Sequence, residues 1–199
     1  MPTNDLLLAS QNPGKLEEMR HLVAGLPFRV VGPRDVGLLE APEETGSTFV
    51  ENATQKALHY AGRSGLLTVA DDSGISVDAL DGEPGLYSSR FGGERATDHD
   101  RNQFLLSRLA GVAESQRGAR FTSAVVVARG DTVLFEAQET VEGRIASEPR
   151  GRNGFGYDPL FFYPPFGKTF GEVAAEDKDR VSHRGKAFAR LRAFLVTLA

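Results

Sequence analysis

Four apolar residues, Leu6 to Ala9 with Leu7 and Leu8 between them, run straight into the polar turn Ser10-Gln11-Asn12-Pro13-Gly14-Lys15. A short continuous apolar run that stops at Pro and Gly has the pattern of a buried strand entering a turn. Beyond the turn, Leu16, Met19 and Val23 recur at helical spacing, and Gly25 with Pro27 predicts a helix end near Ala24. Phe28 to Val31 reads as a second strand. Thr48 and Glu51 have the spacing of a capping box, and the helix they predict places Val50, Ala53, Ala57 and Tyr60 or Ala61 on one apolar face. The run Leu66 to Gly74 predicts a buried strand that stops at Asp71-Asp72, at a sheet edge, with Ser73-Gly74 making the turn. Thr97 and Asp100 cap a further helix bearing Leu105 and Leu109. Phe121 to Gly143 reads as two strands meeting at Arg129-Gly130-Asp131, a hairpin turn. Phe188, Leu191, Phe194 or Leu195, and Leu198 mark the buried face of a C-terminal helix, with Lys178, His183 and Arg184 ahead of it.

Strands alternate with helices and then give way to a hairpin, which predicts an α/β fold around a mixed sheet. With 199 residues, 40% of them apolar and 25% charged, one domain spanning 1–199 is expected. A formal net charge of −4 argues against a protein that coats nucleic acid, which needs surplus Lys and Arg. The chain has no cysteine, which excludes disulfides, thiolate zinc sites and cysteine nucleophiles together. The first residues carry neither a basic segment nor an apolar run long enough for a signal peptide or membrane span, so a cytoplasmic protein with no membrane partner is expected.

Five polar constellations carry candidate chemistry. The turn at Ser10, Gln11, Asn12 and Gly14 offers side-chain donors and backbone N–H groups at a helix start, where the helix dipole favours an anion, and Lys15 adds a full charge. The spacing is not that of a P-loop, and a capped helix with a solvated lysine would read the same way. Asp71 and Asp72 would repel unless a cation or donors compensate, and Mg²⁺ held by one or two carboxylates and substrate phosphates suits such a place; they also fit an ordinary turn. Glu43 and Glu44 stand just before the helix bearing Asn52 and Lys56, two side chains that share a face at a spacing of four. In "GRNGFGYDPLFF", glycines around Phe155 allow that ring either to stack on a flat ligand or to tuck into the core. Lys178, His183 and Arg184 are suited to base or phosphate recognition, or form a solvated basic run.

In their order along the chain, "ASQNPGK", "EETGSTFVENATQKA", "ADDSGISVDALDGEPGLYSSRFGG" and "GFGYDPLFF" with "SHRGKA" resemble the inosine triphosphate pyrophosphatase (Ham1-like) family over nearly the whole chain. The resemblance implies a two-lobed α/β domain with a cleft between lobes, a homodimer, dependence on Mg²⁺, and hydrolysis of ITP, dITP and XTP to monophosphate and pyrophosphate, which clears them from the nucleotide pool. By the same resemblance, Glu44 and Asp72 are metal-associated, Asp72 is the base for the attacking water, and Lys56 faces the phosphates. Substrate binding falls to Ser10, Gln11, Asn12, Pro13, Gly14, Lys15, Ser73, Phe155, Gly156, Tyr157, Asp158, Lys178, His183 and Arg184, with Phe155 stacking on the purine. One departure is visible: Gln11 stands where many members carry glycine.

Hydrolysis of this kind needs an oriented water and stabilisation of spread negative charge, which a carboxylate, Mg²⁺ and lysines supply. Inosine and xanthine present a 6-oxo group where adenine presents an amine, so a donor such as Arg184 or Lys178 would favour the former by roughly tenfold to a hundredfold. Two further readings fit the same residues: a pyrophosphatase for modified or pyrimidine nucleotides, and a nucleotide-binding sensor without turnover.

Overall fold

A computed structural model describes residues 4–11, 13–93 and 95–199; Asn12, one of the expected phosphate-turn residues, lies outside the described residues. Strand β1 (Asn4–Leu8) is followed by α1 (Pro13–Leu22), β2 (Phe28–Val31), α2 (Phe49–Ser64) and β3 (Leu67–Val77). Short 3₁₀ turns and α3 (Asp98–Arg108) lead to the hairpin of β4 (Gly118–Arg129) and β5 (Thr132–Ile145). Strands β6 (Phe161–Tyr163) and β7 (Lys168–Thr169) and helices α4 (Ala175–Val181) and α5 (His183–Val196) complete the chain.

The strands form one sheet in the order β2-β1-β3-β4-β5-β6-β7. β1 runs parallel to β2 and β3, with Leu6 opposite Val30 and Leu67, whereas β6 is antiparallel to β5 and β7, so the sheet is mixed as expected. A parallel strand covered on both faces reads as an unbroken apolar run. Leu6, Leu7 and Leu8 are fully buried for this reason. Leu6 and Leu8 pack with Met19 of α1, with Val23 just beyond that helix and with Leu191 and Leu195 of α5, while Leu7 packs on the other face with Ala53, Ala57 and Tyr60 of α2. Fully burying each leucine is worth about 1.5–3 kcal/mol, which secures the strand from which the polar turn departs.

The chain divides into two compact units. The first comprises Met1–Asp72, Ser123–Gln138 and Ala187–Ala199; the second comprises Ser73–Thr122 and Glu139–Lys186. The first has an apolar layer on each face of its strands. The second has a core of its own, in which Ile75, Val77, Leu105, Leu109, Phe121, Leu160, Phe161 and Phe170 are buried together. Among the described residues no helix is long and apolar enough to cross a membrane.

Four local expectations need correction. Strand β3 does not stop at Asp71-Asp72 and is not an edge: it continues to Val77 and lies between β1 and β4. Ile75 and Val77 resume the apolar alternation after Ser73-Gly74, and their burial in the second core keeps the strand going. Thr48 accepts from the Glu51 N–H as expected, but the Glu51 carboxylate turns to the Ser47 N–H and hydroxyl, so the reciprocal half of that box is made one residue early. The Thr97–Asp100 box is reciprocal. His183 and Arg184 form the first turn of α5 instead of preceding it, and Lys178 belongs to the separate α4. Helix α5 ends at Val196, which leaves Leu198 partly exposed rather than on a buried face.

Candidate active site

Side chains of a strand point alternately to its two faces, and this decides what Asp71 and Asp72 do. Val69 packs in the α1/α5 layer and Ala70 in the α2 layer, so the next two residues part the same way. Asp72 follows Ala70 to the α2 side. There its Oδ1 accepts from Lys56 Nζ at 3.1 Å and its Oδ2 from Asn52 Nδ2 at 3.3 Å. Lys56 Nζ also donates to Glu44 Oε1 at 3.0 Å, so one ammonium joins two carboxylates from distant parts of the sequence. Asn52, one helical turn before Lys56, accepts from the Gly46 N–H at 2.8 Å and so ties down the loop that carries Glu44. Asp71 goes to the other face, where both its oxygens accept from Lys15 Nζ, at 3.0 and 2.9 Å.

The charges in this group are unequal in number. Burial works to lower the Lys56 ammonium, but Asp72, Asp71 and Glu44 together outweigh it and hold the group above its ordinary value. Burial also raises the Asp72 carboxyl; the attraction of Lys56 does not cancel that, and repulsion from Glu44 adds to it. Both partners of one ion pair therefore shift upward, because Lys56 is shared among carboxylates while Asp72 has one cation. A group in which two carboxylates meet one ammonium can gain from a further cation. Glu44 and Asp72 are the carboxylates that could accept one, and among the described residues no cluster of three or more His, Asp or Glu forms a protein-only cage. Two carboxylates suit Mg²⁺, which is usually held by one or two of them together with substrate phosphates.

In the expected phosphate turn, the Ser10 N–H donates to the Leu8 carbonyl, and α1 begins at Pro13, so Pro13 and Gly14 form its first backbone turn. Proline suits that place because its missing N–H would be unpaired there anyway. The exposed Gln11 side chain donates from Nε2 to the Leu39 carbonyl at 3.0 Å.

In the second unit, Phe155 stands out on its glycine-flanked loop, 49% exposed. Two cations face its ring, with Lys178 Nζ and the Arg184 guanidinium carbon each 5.0 Å from the centroid. Lys178 is ion-paired with the buried Asp158, whose Oδ2 also accepts from the Phe155 N–H at 2.9 Å. Arg184 Nη2 donates to Ser73 Oγ at 3.2 Å. Gly154, at φ +73, lies so close to this carboxylate that a Cβ there would collide with Asp158 Oδ2. The turn between α4 and α5 is equally tight: a Cβ at Gly185 would collide with the Asp179 carbonyl oxygen, and the Gly185 N–H donates to Ser182 Oγ. That turn puts Lys178 and Arg184 on the same ring.

The expected residues thus fall into two working groups, Glu44, Lys56 and Asp72 in the first unit and Ser73, Phe155, Asp158, Lys178 and Arg184 in the second. Others have different surroundings. Lys15 pairs with Asp71 and not with the Lys56 group. Tyr157 is buried and donates to the Ser88 carbonyl, and burial raises its phenol far above the ordinary value. His183 is buried with its ring stacked on Phe121, centroids 4.6 Å apart. Asp71 as the anchor of Lys15 was missed, although strand alternation alone would have separated it from Asp72.

Three comparisons set this geometry among known proteins. The sequence model of the Ham1 family matches residues 6–194. The chain is 48% identical over 186 residues to a dITP/XTP pyrophosphatase from Thermus thermophilus, covering 94% of this chain and 89% of that one. It is 44% identical over 192 residues to a dITP/XTP pyrophosphatase from Haemophilus influenzae, covering 96% and 98%. A solved structure of a HAM1 protein from Coxiella burnetii superposes with a TM-score of 0.90 at 41% identity, over 97% of this chain and 98% of that one.

Proposed function

Because the chain belongs to the Ham1 family, we propose that it hydrolyses the non-canonical purine nucleoside triphosphates dITP, XTP and ITP to monophosphate and pyrophosphate, as one pyrophosphatase domain over 1–199. The observation that carries this reading is the Lys56 ammonium bound to both Glu44 and Asp72, with Asp72 held above its ordinary pKa. A carboxyl raised by burial is a better proton acceptor than one in water, and general base catalysis uses that property.

Handling of the phosphates falls to the first unit. Asp72 takes the proton of the attacking water, and Lys56 and Lys15 offset the negative charge of the phosphates. Ser10, Gln11, Asn12, Pro13 and Gly14 form the anion-binding turn at the start of α1. Glu44 and Asp72 would hold Mg²⁺, which when bound supplies charge neutralisation at the phosphoryl oxygens. Base recognition falls to the second unit. Phe155 stacks on the purine, and Lys178 and Arg184, already over its ring, present donors suited to a 6-oxo group. Ser73, Gly156, Tyr157, Asp158 and His183 support that surface. Two cationic donors at the ring favour an oxo base over an amino base, and this supports non-canonical purines over ATP. A homodimer and a cytoplasmic location accompany the reading.

The test is product chromatography after incubation with ITP, XTP, dITP, GTP and ATP, with Mg²⁺ and with EDTA. Monophosphate plus pyrophosphate from the first three, dependent on the metal, is the expected result. Diphosphate plus phosphate would overturn the reaction type, and comparable turnover of ATP would overturn the preference for a 6-oxo base. Repeating the ITP reaction in ¹⁸O-water assigns the phosphorus attacked, since label in the monophosphate means attack at the α position. Sedimentation equilibrium tests the dimer.

A further inference from the structure

Phe155 can serve as a stacking surface only if its loop is rigid, because an aromatic side chain on a mobile loop must be ordered each time a ligand binds. Packing alone does not supply that rigidity. An open cavity of about 240 Å³ lies along the loop, lined by Pro149, Arg152, Phe155 and Pro159 on the loop side and by Asp98 and Asn102 of α3. Polar contacts reach the loop where packing is incomplete. Asp98 Oδ2 accepts from the Gly156 N–H at 2.7 Å, and Asn102 Nδ2 donates to the Gly156 carbonyl at 2.9 Å.

We propose that Asp98 and Asn102 are positioning residues for base recognition: spaced four apart on α3, they grip both polar groups of Gly156, the residue that follows Phe155, and so hold the ring where a purine stacks. The geometry is that of a two-pronged clamp. Residues four apart share a helix face, so both prongs come from one rigid element. Gly156 sits at φ +61, a conformation L side chains rarely adopt, and the clamp fixes its peptide groups in that state. Asp158 holds the N–H of Phe155 from the other direction, so the ring is fastened on both sides.

The character of Asn102 points the same way. It is 5% exposed, and among the described residues its Oδ1 finds no hydrogen-bond partner. A buried amide with one end unpaired is a poor choice for stability, since leaving a buried acceptor unsatisfied is costly. What the residue gains in exchange is the bond to the Gly156 carbonyl, a contact no apolar side chain could make. Asp98 is also ion-paired with Arg101, which keeps its carboxylate turned toward the loop.

This inference rests on the stacking role proposed for Phe155, so the experiment measures that role first. Steady-state ITP hydrolysis is compared for wild type, Phe155→Ala, Asn102→Ala and the double variant. Loss of one stacked base contact corresponds to roughly ten- to hundredfold in KM for Phe155→Ala. Asn102→Ala raises KM about tenfold with kcat within about twofold of wild type, since the ring is displaced and the phosphate chemistry is untouched. In the Phe155→Ala background, Asn102→Ala adds nothing, because there is no ring left to position. Asp98→Ala raises KM as Asn102→Ala does, and Asp98→Asn, which keeps an acceptor of the same shape, restores it. If Asn102→Ala yields too little folded protein, the Asp98 pair carries the same test from the N–H side. Additive effects of Asn102→Ala and Phe155→Ala, or an unchanged KM in Asp98→Ala, would overturn the clamp while leaving the stacking role intact. An unchanged KM in Phe155→Ala would remove the stacking role, and the clamp with it.

Discussion

The Lys56 group and the Phe155 group both place cations among carboxylates, but in opposite proportions. Around Lys56 one ammonium answers Glu44 and Asp72 directly and feels Asp71 as well. Around Phe155 two cations share the face of one ring, and one of them, Lys178, is ion-paired with Asp158. The first group has negative charge to spare, which suits a metal ion and a proton acceptor. The second has two cations over an exposed aromatic face, which suits a flat ligand bearing carbonyl oxygens. Charge balance counted around each side chain therefore distinguishes the two groups, where residue types alone do not.

The sharpest way to break this contrast is to remove the surplus charge of the first group. Asp72→Asn keeps the shape of the side chain and loses the base, so ITP hydrolysis falls by about a thousandfold, within the usual range for a positioned base, while nucleotide binding persists. Pyrophosphate release measures the first and equilibrium dialysis the second. Retained turnover would take Asp72 out of its role and leave a recognition surface without chemistry.

The same substitution tests the electrostatics with a definite sign. The folded state raises the Asp72 carboxyl above its ordinary value of 3.8, so the folded protein holds that proton more tightly than the unfolded chain. Ionisation then costs stability as pH rises from the unfolded pKa through the folded one, and above that window the cost is fully present. Asp72→Asn should accordingly melt above wild type at pH 7, with the gain vanishing below pH 3.8, where both states of the wild-type residue are protonated. Wild-type kcat should fall on acidification through a pKa above 3.8 for the same reason. A variant that melts below wild type at pH 7 would mean that the attraction of Lys56 outweighs burial.

Much of this was legible in the sequence because it rests on short-range pattern. The Leu6–Ala9 run, the Thr97–Asp100 cap and the Gly130-Asp131 hairpin need only neighbouring residues, and each occurs as read. The Asn52–Lys56 face also followed from spacing. What the sequence did not disclose depends on contacts across long separations. Nothing local says that Ile75 and Val77 extend β3 into a second core, and the adjacent Asp71 and Asp72 suggest one site until strand alternation assigns them to different faces. Asp98 and Asn102 read as the start of a capped helix, because their partner Gly156 is more than fifty residues away.

Asp71 is the point at which that separation of faces can be sharpened. Asp71→Asn leaves Lys15 without its counter-charge and costs about 2 kcal/mol in urea unfolding, the range for hydrogen bonds to charged groups. Because Asp71 anchors a lysine assigned to phosphate binding, KM for ITP should rise by roughly threefold with kcat nearly unchanged, the pattern of a lost binding contact. A fall in kcat as deep as that of Asp72→Asn would mean that the two carboxylates act as one group, despite pointing to opposite faces.

The smallest effect belongs to Gln11, in the polar turn ahead of α1. A side chain there could crowd the phosphate turn or reinforce it. Its amide donates to the Leu39 carbonyl on an exposed part of the loop leading to Glu44, so the geometry favours reinforcement. An exposed hydrogen bond of this kind is worth about 0.5 kcal/mol, at the low end of the usual range. Gln11→Ala removes that bond alone, whereas Gln11→Gly also frees the backbone in the unfolded chain, so the glycine variant should melt lower than the alanine variant. Neither should change KM for ITP by more than about threefold, because a bond to Leu39 supports the site without touching the nucleotide. A tenfold rise in KM in Gln11→Ala would mean that the amide leaves Leu39 when substrate arrives and binds phosphate itself, which would make Gln11 part of the charge balance around the triphosphate.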